Sequence, residues 1–108
     1  ASYCASKGGE VLLTRSLALD YARYGVRVNC ICPGFVLSEM LAGYIAKQAD
    51  PAAAQRAFAA MAPQNRIGRP EEIAAAAVFF ASRASSFIPG VALPVDGGYT
   101  ASGARDLL

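Results

Sequence analysis

Two short strand-like segments separated by helices constrain this fold more than any other feature. The β-branched residues 26–32 predict one strand, and residues 91–95 predict a second. Helical patterns occupy residues 37–47, 51–61 and 70–82 between them. Strands joined through helices pair in parallel, since parallel neighbours need a long crossover connection. The predicted class is therefore α/β, with a parallel sheet.

The first helical segment, residues 1–24, brings the number of predicted helices to about four. It is apolar on nearly all sides, and such a helix is normally covered on nearly all sides. Parallel sheets are likewise covered on both faces, and two strands alone are marginal in water. The 108 residues provide too little apolar surface to cover both the first helix and the two faces of the sheet. We therefore expect the chain to be the carboxyl-terminal part of a larger α/β domain.

Composition and charge exclude several functions. The chain has no histidine, so it cannot supply a Ser-His-Asp triad or a histidine-ligated metal. Its ten lysines and arginines are scattered and the net charge is +2, which does not indicate a nucleic-acid partner. No apolar run approaches the roughly 20 residues that a membrane-spanning helix needs. No signal peptide is evident at the start of the chain.

The cysteines indicate a reducing compartment. Their number is three, which is odd and does not form a disulfide framework, so we expect a cytoplasmic protein. Cys30 and Cys32 form a C-x-C pair on one face of the first predicted strand. Without histidine they are better explained as small buried apolar residues than as metal ligands, and we expect no metal site.

Tyr3 and Lys7 are the first candidate catalytic pair. Four residues apart on a helix, they share one face. A tyrosine normally titrates near 10, and moving it to neutral pH requires about 4 kcal/mol. One positive charge about 4 Å away can supply roughly that amount at an effective dielectric constant of 20. The pair could thus form a phenol that exchanges protons near pH 7, although an exposed helix face has the same spacing.

A second candidate element follows the first predicted strand. Pro33 and Gly34 form a turn at the carboxyl end of that strand, where ligands bind in open α/β sheets. Val36 and Ser38 could then present backbone and hydroxyl groups to a bound amide. An ordinary strand-to-helix connection would have a similar sequence.

Taken together, four ordered motifs resemble the short-chain dehydrogenase/reductases with a single Rossmann-type domain. They are YCASK at 3–7, GVRVN at 25–29 running into Pro33-Gly34, GRPEEI at 68–73 and PVDGGY at 94–99. The four-residue spacing of Tyr3 and Lys7 is unlike that of the family's enoyl reductases. The resemblance implies that residues 1–108 form the carboxyl-terminal half of one NAD(P)-binding domain, doubly wound around a parallel sheet. The nucleotide-binding half would lie upstream and is absent from the chain.

The resemblance also implies an activity. The family transfers a hydride between NAD or NADP and a carbonyl or alcohol, so the partner would be a small molecule. Tyr3 would be the acid/base and would also contact the cofactor, and Lys7 would tune Tyr3 and hold the cofactor ribose. Pro33, Gly34, Val36 and Ser38 would line the nicotinamide.

Other consequences of the resemblance concern assembly and completeness. We expect a homotetramer or homodimer when the protein is intact, and no activity from the 108 residues alone, which lack the family's phosphate loop. The alternative is a non-catalytic or truncated family member that serves as an oligomerisation or interaction module. The choice between NAD and NADP stays open.

Residues 37–66 resemble the family's lid over the substrate cleft. This segment contains several large apolar side chains: Met40, Leu41, Tyr44, Phe58 and Met61. They favour an apolar or mixed alcohol, although the same residues could simply pack the lid. Sugars, acyl thioesters, diols and ring ketones all remain open.

Overall fold

The computed structural model describes residues 1–102, so residues 103–108 of the predicted domain lie outside the described part. The α/β prediction is confirmed, with four helices and a two-stranded parallel sheet in the described part. The helices are α1 (Ser2–Ala22), α2 (Glu39–Ala46), α3 (Pro51–Met61) and α4 (Pro70–Ala81). The strands are β1 (Cys30–Pro33) and β2 (Ala92–Val95).

The two strands pair in parallel register. The Cys30 amide donates to the Val91 carbonyl at 2.9 Å, and the Gly34 amide donates to the Val95 carbonyl at 3.0 Å. Both partners advance by four residues in the same direction, which is the pattern of a parallel ladder. The backbone N–H and C=O groups of every second residue point toward β1, beginning with Val91 just before β2. The backbone of Pro94 therefore points away from β1. Its missing N–H therefore costs this ladder no hydrogen bond.

The first strand is shorter than its sequence predicts. It begins at Cys30 rather than at residue 26, because the residues before it form other hydrogen bonds. The Val28 carbonyl accepts from the Gly90 amide at 2.8 Å. The Asn29 side chain donates to the Ile88 carbonyl at 2.7 Å and accepts from the Val91 amide at 2.9 Å. These contacts connect the loop before β1 to the loop before β2. The regular ladder of backbone hydrogen bonds begins only after them.

The chain divides into two compact units. The first contains residues 1–32 and 75–93. Within it the Arg27 guanidinium donates to the carbonyls of Phe80, Ser82 and Ser85 at 2.8, 3.2 and 3.0 Å. It also contacts the Ser85 hydroxyl at 2.6 Å, and Ser85 is fully buried. Arg27 thereby satisfies carbonyls near the carboxyl end of α4, where a helix leaves such groups unpaired.

The second unit contains residues 33–74 and, in the described part, residues 94–102. Two of its helices begin at side-chain caps: Ser38 accepts from the Leu41 amide before α2, and Asp50 accepts from the Ala53 amide before α3. Pro51 is the first residue of α3, where proline fits because the first amides of a helix have no partner within it. The Phe35 ring lies 5.1 Å from the Phe58 ring between centroids, which places α3 against the turn after β1.

Few apolar side chains are buried. Among residues 1–102 they are Ala18, Ile45 and Ala62. On α1, Leu12 is 66% exposed and Leu19 is 80% exposed. The first helix is therefore not covered on nearly all sides by the described residues, and its apolar surface is free to meet further protein.

Candidate active site

Tyr3 and Lys7 lie on one face of α1, as their spacing predicts. The Lys7 Nζ atom is 5.9 Å from the centroid of the Tyr3 ring. The Tyr3 side chain is exposed. A substrate and a cofactor could therefore both reach this face of the helix.

Glu10 is a neighbour of this pair that the sequence interpretation missed. Its Oε1 atom is 3.1 Å from Lys7 Nζ, and both side chains are more than half exposed. Hydrogen bonding to the Glu10 carboxylate, together with its charge, raises the pKa of Lys7 above its usual 10.5. Lys7 is thus fully charged at neutral pH. The i,i+3 spacing of Lys7 and Glu10 on a helix was the signal that could have identified this partner.

The turn after β1 is held by a close backbone approach. A Cβ atom on Gly34 would lie 2.7 Å from both Cα and Cβ of Asp96, a distance that real contacts do not tolerate. Only glycine fits here without displacing the end of β2. The next residues pair with Gly68: its amide donates to the Phe35 carbonyl and its carbonyl accepts from Leu37, both at 2.9 Å. The turn is therefore fixed on both sides by backbone contacts.

The pairing leaves polar groups of the turn available. In the bridge between Val36 and Gly68, the amide of Val36 points away from Gly68. Within residues 1–102 this amide has no hydrogen-bond acceptor. The Ser38 hydroxyl accepts from the Leu41 amide at 3.3 Å and keeps its own proton available for donation. An amide ligand could therefore be bound by Val36 N–H and Ser38 O–H.

Asp96, at the end of β2, is a second residue that the sequence interpretation did not assign to the site. Its carboxylate accepts from the Gly98 amide at 3.0 Å and from the Thr100 hydroxyl at 2.6 Å. Hydrogen bonds from the hydroxyl and amide of Thr100 lower the pKa of Asp96, so it stays ionised. This network fixes the loop of Gly97 and Gly98, both of which have positive φ. Asp96 thus supports the backbone on which Gly34 rests.

An apolar cleft of about 460 Å³ opens beside the turn. We use the name apolar cleft for the space lined by Gly34, Phe35, Val36, Ser38, Met40, Leu41, Tyr44 and Phe58. Three of the predicted nicotinamide residues therefore share one cleft with four of the five predicted lid residues. Met61 does not line the cleft, and Pro33 is at the exposed end of β1.

The predicted site residues thus form two groups. Tyr3 and Lys7 belong to the first compact unit, whereas Pro33, Gly34, Val36 and Ser38 belong to the second. Cys30 and Cys32 are half-buried free thiols, and burial raises the pKa of the Cys32 thiol above its usual value. Among residues 1–102, no three His, Cys, Asp or Glu side chains are grouped so as to hold a metal ion.

A family model described as "Enoyl-(Acyl carrier protein) reductase" matches residues 1–100. A short chain dehydrogenase family protein from Francisella tularensis has a similar structure, with a TM-score of 0.86 and 42% identity over 92% of this chain and 43% of its own. The chain belongs to the short-chain dehydrogenase/reductase family. Dehydrogenases of this family use NAD(P). A second similar structure, from Agrobacterium tumefaciens, was solved with bound NADP, with a TM-score of 0.81 and 39% identity over 93% of this chain and 39% of its own.

Curated relatives are similar at the sequence level. Cis-4-hydroxycyclohexanecarboxylate dehydrogenase of Sinomonas cyclohexanicum is 46% identical over 94% of this chain and 38% of its own length. Inactive 2-(S)-hydroxypropyl-CoM dehydrogenase 2 of Xanthobacter autotrophicus is 45% identical over 94% of this chain and 44% of its own. The chain therefore spans about two fifths of the length of these relatives. In the described part, the helices are too short or too polar to cross a membrane.

Proposed function

We propose that residues 1–108 are the carboxyl-terminal half of a Rossmann-type NAD(P)-binding domain in a longer oxidoreductase. That enzyme would transfer a hydride between NAD or NADP and a carbonyl or alcohol. The observation that carries this proposal is the Tyr3–Lys7 pair on one exposed face of α1, in a chain that belongs to a dehydrogenase family. The bound nicotinamide would supply the hydride acceptor or donor.

Tyr3 would act as the acid/base. In the oxidative direction its phenolate would take the hydroxyl proton of the substrate while the carbon-bound hydrogen leaves as hydride. In the reductive direction its phenol would protonate the carbonyl oxygen. Lys7 would favour the phenolate through its positive charge and would donate hydrogen bonds to the ribose hydroxyls of the cofactor. Its elevated pKa supports both roles, because the ammonium form is the form required.

The turn after β1 would hold the nicotinamide. The free amide of Val36 and the available proton of Ser38 are donors that a carboxamide oxygen could accept. Pro33 and Gly34 would present a surface without long side chains to the ring. These contacts would orient the ring and would take no part in proton transfer.

We propose alcohol or carbonyl chemistry rather than the enoyl reduction named by the family model. The four-residue spacing of Tyr3 and Lys7 supports this choice, as do the relatives named as dehydrogenases. The names of the two relatives refer to different alcohols, a ring hydroxy acid and a hydroxypropyl conjugate, and the second relative is named as inactive. The substrate is therefore a separate question.

The direct test measures reduction of NAD and NADP by the full-length protein with secondary alcohols, and the reverse reaction with the matching ketones. We expect turnover that requires both a nicotinamide cofactor and Tyr3. Lack of turnover with every alcohol and ketone, in a folded protein that binds the cofactor, would contradict the proposal. Comparison of the turnover rates with NAD and with NADP under the same conditions identifies the preferred cofactor.

The 108 residues alone should neither bind the cofactor tightly nor turn it over. Calorimetric titration of this chain with NADH and NADPH tests that expectation. Micromolar affinity would show that the chain is sufficient for cofactor binding, and the half-domain proposal would then be wrong.

A second candidate function is a non-catalytic family member or truncated product that serves in oligomerisation or interaction. The inactive relative from Xanthobacter autotrophicus makes this alternative concrete. Exposed apolar side chains on α1 and α4, such as Leu19 and Val78, would suit either function as interface residues. Cofactor binding and turnover by the full-length protein separate the two candidates.

In either case we expect the full-length protein to be a cytoplasmic homotetramer or homodimer. The free cysteines of the described part are consistent with a reducing compartment. Light scattering at micromolar concentration tests the assembly, and a stable monomer would contradict it.

A further inference from the structure

We infer that the substrate carries an apolar ring or short alkyl body beside its reacting carbon, and that it is not a polyol or sugar. This inference rests on the proposed function and concerns the part of the substrate that does not react. It follows from the lining, the size and the position of the apolar cleft.

The lining of the cleft contains no charged side chain among its eight residues. Ser38 already accepts a hydrogen bond from the Leu41 amide, so its oxygen is partly used by the start of α2. The remaining side chains are aromatic, aliphatic or thioether, with the Tyr44 hydroxyl as the one further polar side-chain group of this lining. Several substrate hydroxyls entering this space would lose water without enough partners, which makes polyol binding unfavourable.

Aromatic packing gives the cleft a defined wall. The Phe35 and Phe58 rings are 5.1 Å apart, and the Tyr44 and Phe58 rings are 6.0 Å apart at 81°. The Phe35–Phe58 pair is tilted at 57° and the Tyr44–Phe58 pair is edge-to-face, and such contacts favour defined ring orientations. The wall therefore presents ring faces and edges, which complement another ring or an alkyl chain.

The volume and position of the cleft favour a substrate over simple packing. An apolar protein cavity of roughly 150 Å³ is enough to bind benzene. The cleft, at about 460 Å³, has space for roughly three such volumes. The lining includes Gly34, Val36 and Ser38, the residues proposed to hold the nicotinamide. A molecule bound in the rest of the cleft would therefore lie near the ring that exchanges the hydride.

Met40 provides the sharpest probe, because it lines the cleft and is 83% exposed. Its replacement should alter the cleft without loss of packing. Met61 is a matched control: it is also exposed and lies on the lid segment, but it does not line the cleft. The two methionines are the only ones in this chain.

The test compares kcat/KM of the full-length protein for cyclohexanol and galactitol, in the wild type and in Met40→Gln and Met61→Gln. We expect a preference for cyclohexanol of at least about 100-fold. Met40→Gln should reduce kcat/KM for cyclohexanol by roughly tenfold and so narrow the preference for cyclohexanol over galactitol. Met61→Gln should change neither value. Equal or better turnover of galactitol would overturn the inference and leave the proposed function intact.

A binding measurement keeps the inference testable without catalysis. The full-length protein is labelled with ¹³C in its methionine methyl groups and saturated with NADH or NADPH, so that an added alcohol cannot be oxidised. The two variants assign the methyl signals. Cyclohexanol should shift the Met40 signal and not the Met61 signal, whereas galactitol should shift neither. A Met40 shift without turnover would contradict the proposed function alone, and no Met40 shift with cyclohexanol would contradict the inference.

Discussion

The face of α1 that carries Tyr3 and Lys7 differs from the turn after β1 in what determines its geometry. On α1, the side chains are exposed and Lys7 contacts another flexible side chain, Glu10. In the turn, backbone atoms of Gly34 and Gly68 make the decisive contacts. The helix therefore supplies ionisable side chains whose pKa values depend on neighbouring side chains, whereas the turn supplies a backbone surface whose geometry is fixed. Substitutions on α1 should alter chemistry with little effect on folding, and substitutions in the turn should do the reverse.

The largest effect is expected from Tyr3→Phe in the proposed full-length enzyme. This change removes the phenolic hydroxyl and keeps the ring. The loss should appear mainly in kcat, by about 10²–10⁴-fold, since the proton moves only as the reaction proceeds. Steady-state kinetics give the size of the loss, and thermal unfolding should be unchanged because the side chain is exposed. Near-normal kcat in the folded variant would show that another group is the acid/base.

The sequence predicted the elements better than the contacts between them. The helices depend on residues close in sequence, and patterns of that kind are readable locally. The start of β1 depends on Asn29 reaching Ile88 and Val91, far along the chain. No local pattern contains that information, so the predicted strand began too early.

Contacts between residues that are distant in sequence also explain most of what was missed at the candidate site. Gly34 was recognised as part of a turn, but its contact with Asp96 follows from the register of two strands that are distant in sequence. The free amide of Val36 also follows from a long-range pairing, the bridge to Gly68. Glu10 is different, because its spacing from Lys7 was visible in the sequence.

Gly34→Ala tests the fixed turn and should produce the second-largest effect. The new methyl group would meet the backbone of Asp96, which cannot rotate away. Overpacking of this type costs about 1–3 kcal/mol of unfolding free energy. Gly43→Ala is the matched control, because apart from its chain neighbours and the local helix backbone no described atom lies within 4 Å of its Cβ position, and α2 should gain from alanine. Chemical denaturation of both variants makes the comparison, and equal stability of the two would contradict a backbone-limited turn.

Lys7→Met tests the role of charge on the face of α1 that carries Tyr3 and Lys7. The variant should bind the cofactor more weakly, and the alkaline limb of its reductive pH profile should move to higher pH. The reason for the second change is that a neighbouring positive charge favours a phenolate, so removing the charge keeps the phenol protonated. Kinetics between about pH 6 and 10 separate the two roles. If the KM for the cofactor rises and the alkaline limb does not move, Lys7 binds the cofactor but does not tune Tyr3.

Glu10→Gln is the companion variant on the same face. It removes the carboxylate that raises the pKa of Lys7, so the pKa of Lys7 should fall toward its usual value. Lys7 would still be charged at neutral pH, and kcat at pH 7 should therefore stay near that of the wild type. NMR titration of the lysine side chain measures the change. An unchanged pKa of Lys7 would show that it does not pair with Glu10 in solution.

The smallest effect is expected at Glu72, a partly exposed carboxylate beside Arg66 and the amide of Arg69. Its Oε1 and Oε2 atoms accept from Arg66 at 2.6 and 2.8 Å, and Oε2 also accepts from Arg69 N at 2.8 Å. These contacts lower the pKa of Glu72 from its usual 4.5 to about 2. A lowered carboxyl pKa contributes stability that is present above pH 4.5 and is lost as the pH falls toward 2. Glu72→Gln should therefore flatten the pH dependence of stability in this window, while Glu71→Gln, an exposed neighbour on α4, should not. Denaturation midpoints across that pH range decide the matter, and because exposed ion pairs are screened by solvent, the difference should shrink at high salt.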